Sequence, residues 1–301
     1  MRVHQFLTAL FLIIILESCS AYPSAMPVTA FQDTPTQTPS QSATAIPSLT
    51  PSHTATATPT QSPTRTITLT PTEMPLTIVF YGDSVLKVGD VSRQAEVGYS
   101  IIDVLRAHLR PADQIITSNH GGRKAKWGYE NLDKNVLIYN PDIVTLWWGL
   151  NDLGGCPGIF DRDTRRILQY KLDAMLDLHL KYMNLQISAL LDRNSTVIII
   201  TPMPILGSLP WSHFDENNEL VWEDDYRCDF NIGLEQLVQA QRRLVADYAT
   251  EQEPVYLVDA WQIYKDHPNS DNMYMDIVHP GSLGAELIAE GWLQVFQSLK
   301  K

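Results

Sequence analysis

The chain is poor in positive charge. Its 301 residues carry 22 Lys and Arg against 34 Asp and Glu, a net charge of −12. A general nucleic-acid binder needs a basic face to neutralise phosphates, so this balance argues against that class. Cysteine is scarce as well, with three in all. Cys156 and Cys228 lack the close pairing of a zinc site, and no His/Asp cluster has ligand spacing, so neither a metal nor another cofactor is expected. The Gly-x-Ser-x-Gly elbow of α/β-hydrolases occurs nowhere. The apolar run Phe6–Leu16 has 11 residues, whereas a helix crossing a bilayer needs about 20.

What is present is unevenly distributed. Between Tyr22 and Pro75, 31 of 54 residues are Pro, Thr or Ser. Such a stretch buries too little apolar surface to offset chain entropy, and reads as a disordered linker. Extended, it reaches up to roughly 170 Å at 3.1 Å per residue. Residues 76–301 then form one globular domain with 20 basic and 31 acidic residues, a net charge of −11. Ahead of the linker, Arg2 followed by the short apolar run reads as a secretory signal over residues 1–21. Leu16-Glu17-Ser18-Cys19 resembles the bacterial lipobox, which implies lipid on Cys19 and a membrane contact through that lipid alone; an ordinary signal cut near Ala21 is the alternative. Either way the domain is expected outside the cell, tethered or secreted. Two cysteines in an exported domain are candidates to pair, so Cys156–Cys228 is an expected disulfide, with two free thiols as the alternative.

Within the domain, short apolar runs alternate with amphipathic ones. Strands are expected at Thr77–Tyr81, Gln114–Thr117, Ile143–Trp148, Thr196–Thr201 and Val255–Val258, and helices at Gly98–Leu109, Gly128–Tyr139, Thr164–Leu191, Asn231–Ala249 and Leu283–Leu299. Asp161 and Asp163 are placed to cap the third helix, and Pro204–Asp229 reads as a long aromatic-rich loop. The alternation predicts a three-layer α/β/α domain around a five-stranded parallel sheet. Ligands of such sheets bind beyond the carboxyl ends of the strands.

Those ends carry the chemistry. They read Gly82-Asp83-Ser84 after the first strand, Asn119-His120-Gly121-Gly122 after the second, Gly149-Leu150-Asn151-Asp152 after the third, and Asp276-Ile277-Val278-His279 before the closing helix. Four such blocks in this order, across essentially all of residues 76–301, resemble the SGNH hydrolases, also called GDSL-type esterases and lipases, whose fold is flavodoxin-like. The resemblance implies a serine nucleophile at Ser84, its base at His279, and Asp276 orienting the imidazole. It implies an oxyanion hole from the Ser84 and Gly122 backbone N–H groups and the Asn151 amide. Gly121 is the alternative donor; counting back from Gly128 and Pro141 favours Gly122.

Asp83 and Asp152 read as structural carboxylates that bond loop backbone, and His120 as an ordinary loop histidine. His108, His179, His213 and His267 have no partner pattern. Of Trp147 and Trp148, one faces the packing layer and the other approaches the site; Trp148 is the candidate substrate contact. The leading function is hydrolysis of a small acyl ester, on an acylated glycan or cell-envelope compound, through an acyl-enzyme on Ser84. The competing readings are an O-acyltransferase with the same triad and a non-catalytic glycan-binding module.

Overall fold

The apolar runs become the strands of a sheet that is largely buried except along its Gln114–Asn119 edge, and the helices between them cover its faces. In the computed structural model, which describes residues 74–89, 100–214 and 220–300, the elements in chain order are β1 (Thr77–Gly82), α1 (Ile101–His108), β2 (Gln114–Asn119), α2 (Ala125–Glu130), α3 (Leu132–Asn135), β3 (Ile143–Trp147), α4 (Gly155–Ile159) and α5 (Gln169–Leu191). Then follow β4 (Thr196–Ile200), β5 (Leu209–Phe214), β6 (Leu220–Cys228), α6 (Asn231–Thr250), β7 (Val255–Val258), α7 (Ala260–Asp266) and α8 (Ser282–Ser298). The expected signal segment with Cys19, and the Thr/Pro/Ser-rich segment up to residue 73, lie outside the described residues.

The five-stranded sheet has the order β2-β1-β3-β4-β7, parallel throughout. Strand alternation sorts its side chains into two cores. Ile78, Phe80, Ile143, Ile198 and Ile200 face α1 and α8, whose Leu105, Ile288 and Trp292 are fully buried. Val79, Tyr81, Val144, Leu146, Val197 and Ile199 face the opposite way, against Met183 and Ile187 of α5 and Leu244 of α6. Each such aliphatic side chain contributes roughly 1.5–3 kcal/mol on burial. The expected three-layer architecture is therefore the observed one. α1 opens on a capping box, in which Ser100 Oγ accepts from Asp103 N–H and the Asp103 carboxylate accepts from Ser100 N–H.

Four expectations need correction. The Pro204–Asp229 loop contains an antiparallel hairpin, β5–β6; a third core holds it down through Trp211 and Cys228, packed with Ile159, Phe230 and Leu234. The helix expected from Thr164 begins at Gln169. Asp161 therefore caps no helix: its Oδ1 accepts from the Thr164 N–H at 2.8 Å and Oγ1 at 2.7 Å, closing a turn. The helix expected over Gly128–Tyr139 breaks into α2, α3 and a 3₁₀ turn at Leu137–Tyr139. The expected pairing of Cys156 with Cys228, by contrast, is present as a disulfide, which joins the end of the hairpin to α4.

Candidate active site

Ser84 stands where β1 ends and the chain tightens into a 3₁₀ turn, Ser84–Gly89. Gly82 is required there, because a Cβ would meet the Trp147 carbonyl oxygen at 2.5 Å. From the other end of the domain, the loop ahead of α8 brings His279 to it. His279 Nε2 lies 3.1 Å from Ser84 Oγ, and His279 Nδ1 lies 2.8 Å from Asp276 Oδ2. An N–H at Nδ1 facing the carboxylate leaves Nε2 free to accept the serine O–H. Asp276 Oδ1 accepts the backbone N–H groups of Val278 at 2.8 Å and His279 at 2.9 Å. Partial burial pushes the Asp276 pKa up, but the imidazole hydrogen bond and charge, with these backbone donors, outweigh it and hold the carboxyl below its usual range. The loop is pinned from outside: Leu206 N–H donates to the Ile277 carbonyl, and Tyr274 O–H to that of Pro204.

The second and third strand ends close on the same point. A turn runs from His120 to Arg123, with Arg123 N–H donating to the His120 carbonyl at 3.2 Å. Within it Gly122 is at φ 70°, and a Cβ on Gly121 would stand 3.7 Å from Ser84 Cβ. Gly121 thus belongs to the wall beside Ser84, while Gly122 faces open space. Asn151 arrives from the β3 end, and its Nδ2 donates to Asp83 Oδ2 at 2.9 Å.

Asp83 and Asp152 do bond loop backbone, as their positions suggest, but each does more. Asp83 Oδ1 accepts from Val85 N–H at 3.0 Å while Oδ2 holds the Asn151 amide. Burial first, and then the nearby Asp152 carboxylate, raise its pKa to about 7 against the bonds from Val85 and Asn151. Asp152 accepts from Ala125 N–H, at 3.0 and 3.3 Å to its two oxygens, and so ties the loop after Gly122 to the Asn151 block. Behind it lies buried His179, with Nδ1 3.1 Å from Asp152 Oδ1; its Nε2 meets Gln241 Nε2 at 3.0 Å, and Gln241 also donates to the Trp148 carbonyl. Sequence gives no sign of this role for His179, because its partners come from the loop after β3 and from α6.

Trp148 is a correction. It is fully buried, edge-on to Tyr81 at 5.0 Å, with its indole N–H donated to Gln186. Trp147 is buried too; both rings line the small cavity beside Asp83, and neither lies open at the surface to substrate. Of the loop aromatics, Trp211 is buried, while Trp222 and Tyr226 are exposed, Tyr226 lying under Arg162. His120 is packed between Tyr81 and Trp127 and bonded to Ser118 Oγ. Between the ends of β1, β3 and β4 a cavity of about 10 Å³ is lined by Asp83, Val85, Leu150, Pro202, Met203 and Val278.

A three-layer parallel α/β domain with these groups at its carboxyl edge is an ester-hydrolysing enzyme. The chain belongs to the GDSL-like lipase/acylhydrolase family, whose model matches residues 78–292. Among solved structures it is similar to a GDSL-like lipase from Parabacteroides merdae, at 14% identity and a TM-score of 0.54, covering 74% of this chain and 96% of that one. A GDSL-like lipase from Bacteroides thetaiotaomicron gives 14% and 0.52, covering 74% and 89%. A catalytic mutant of an acetylxylan esterase from Geobacillus stearothermophilus gives 14% and 0.50, covering 74% and 94%. No curated protein matches the chain.

Proposed function

We propose that the domain over residues 76–301 hydrolyses small acyl esters, acetyl above all, on a carbohydrate or cell-envelope compound. The observation that carries this reading is the Asp276–His279–Ser84 relay at 2.8 and 3.1 Å. His279 Nε2 takes the Ser84 proton as Oγ attacks the ester carbon. Asp276 keeps the imidazole oriented and stabilises its charged form. The oxyanion bonds to the N–H groups of Ser84 and Gly122 and to the free amide hydrogen of Asn151. His279 then gives its proton to the leaving alcohol, and a water deprotonated by the same imidazole releases the acid from Ser84. A cavity of about 10 Å³ under Val278 admits little more than one water. That small space beside the Ser84 turn supports a short acyl group. The likeness in fold to an acetylxylan esterase points the same way.

The test is hydrolysis of nitrophenyl acetate, butyrate and octanoate by the full chain and by Ser84→Ala. Acetate should turn over fastest, the variant should be inactive, and chelation should change nothing. Activity that survives in Ser84→Ala, or a preference for octanoate, overturns the reading. Transfer of acetyl to an added sugar in preference to water would make the protein an acyltransferase. We further propose that lipid on Cys19 holds the protein at the outer cell surface. Cys19→Ala should then move it from the detergent phase to the aqueous phase, and unchanged partitioning defeats the idea.

A further inference from the structure

The loop that follows the two glycines beside Ser84 is basic in an otherwise acidic domain. Arg123 and Lys124 come directly after Gly122, and the domain carries a net charge of −11. Among the described residues neither cation meets a carboxylate. Arg123 is half-buried and lies over the Trp127 ring at 5.5 Å. That contact orients the side chain, and among the described residues its N–H donors meet no acceptor. Lys124 is exposed, and its Nζ stands 3.9 Å from where a Cβ on Gly154 would sit. It therefore spans from the Gly122 loop to the loop that follows Asn151. The neighbouring carboxylates are already occupied. Glu130 pairs with Lys126, and buried Asp152 holds Ala125 N–H and His179. The local field is felt by His120: after burial, the charges of Arg123 and Lys134 hold its imidazole below its ordinary pKa.

We propose that Arg123 and Lys124, which directly follow the Gly121-Gly122 turn beside Ser84, form an anion-recognising subsite for the substrate. The preferred substrate is then an acylated sugar that also carries a negative group, a uronate carboxylate or a phosphate. This rests on the hydrolase reading above, and it narrows the substrate class. A domain of net charge −11 repels anions at a distance, so the two cations act at contact, on KM more than on encounter rate. A guanidinium held over a ring presents a planar fork that fits carboxylate and phosphate alike.

The experiment measures acetate release by the full chain from monoacetylated glucose, monoacetylated glucuronate and monoacetylated glucose 6-phosphate, at low and high salt. At least one charged ester is expected to exceed the neutral one by about tenfold in kcat/KM, with the difference in KM and reduced by salt. The Arg123→Gln/Lys124→Gln variant should erase that advantage and leave the neutral ester unchanged. The carboxylate and phosphate arms tell the two anions apart. Equal or better turnover of the neutral ester overturns the proposal, as does a variant that slows all three esters alike. Binding of the same compounds to Ser84→Ala by calorimetry separates the two readings. Charge-dependent binding with no acetate release keeps the subsite and sinks the hydrolase; charge-independent binding or none sinks the subsite.

Discussion

Asn151 Nδ2 donates to Asp83 Oδ2 across 2.9 Å, so the residue beside the proposed nucleophile sets the amide proposed to hold the oxyanion. Above its pKa of about 7 the Asp83 carboxylate only accepts hydrogen bonds, so it forces the NH2 end of the amide towards itself and leaves the second N–H for substrate. Because Asp83 is also fixed by Val85 N–H, the amide's direction follows from the first turn after β1.

Replacing Asp83 by Asn should therefore cost as much activity as Asn151→Ala. The new side chain cannot accept from both Val85 N–H and Asn151 Nδ2, so one donor is left facing another. We expect kcat to fall by about 10²–10³ in each variant, the usual loss for one oxyanion donor. A kcat for Asp83→Asn within threefold of the parent would mean the amide is held by something else.

The same carboxyl gives a pH signature in stability. Its pKa is raised from 3.8 to about 7, chiefly by burial. Below 3.8 the proton is held in both folded and unfolded states. Between 3.8 and about 7 the unfolded chain releases it and the native state retains it, so stability falls as pH rises. Above about 7 both are ionised and the penalty is constant. At 1.36 kcal/mol per unit the window amounts to about 4 kcal/mol. Urea unfolding at pH 4 and pH 8 should show the wild type losing up to about that much relative to Asp83→Asn. Parallel curves would show that Asp83 titrates normally.

Gly121 and Gly122 separate by substitution. Gly122 is at φ 70° with open space around it, so an alanine there meets strain and no clash, at a cost of about 1–2 kcal/mol. An alanine at Gly121 makes an ordinary 3.7 Å contact with Ser84 Cβ and should change stability by about 0.5 kcal/mol or less. If Gly122 is the oxyanion donor, Gly122→Ala also lowers kcat as the turn shifts. Full kcat in Gly122→Ala, with a loss in Gly121→Ala, would move the donor to Gly121.

The sheet was legible in the sequence because β1, β3 and β4 are apolar runs buried on both faces, and the shorter runs of β2 and β7 recur between amphipathic helices. Each candidate site residue was legible because it directly follows a strand or precedes the last helix, where topology alone concentrates chemistry. The hairpin was not. Leu209–Phe214 contains a proline, and Leu220–Cys228 contains Glu223, Asp224 and Asp225; neither reads as a strand by propensity. Tertiary contacts make them strands, through the burial of Trp211 and the bond to Cys156. The Trp148 expectation failed because it left one side of the β3 end open to substrate, although a three-layer sheet covers both faces and buries both rings. The Asp83–Asn151 bond was hidden because it joins residues 68 apart in sequence.

The disulfide should stabilise the domain without taking part in the chemistry. Cys156 and Cys228 are 72 residues apart, and closing a loop of that size in the unfolded chain is worth about 4 kcal/mol on the chain-entropy account. The bridge fastens β6 to α4, whereas Ser84 hangs from β1, and the Asp276–His279 loop is held by Leu206 and Tyr274. Changing both cysteines to serine should thus lower the melting temperature by roughly 10 °C for a domain of this size. Amide exchange should quicken over residues 209–228, the segment released from α4. At 25 °C, kcat on nitrophenyl acetate should stay within a few-fold of the parent. A collapse of kcat in a variant that remains folded would place the hairpin in the catalytic arrangement itself, acting through α4 on Asn151.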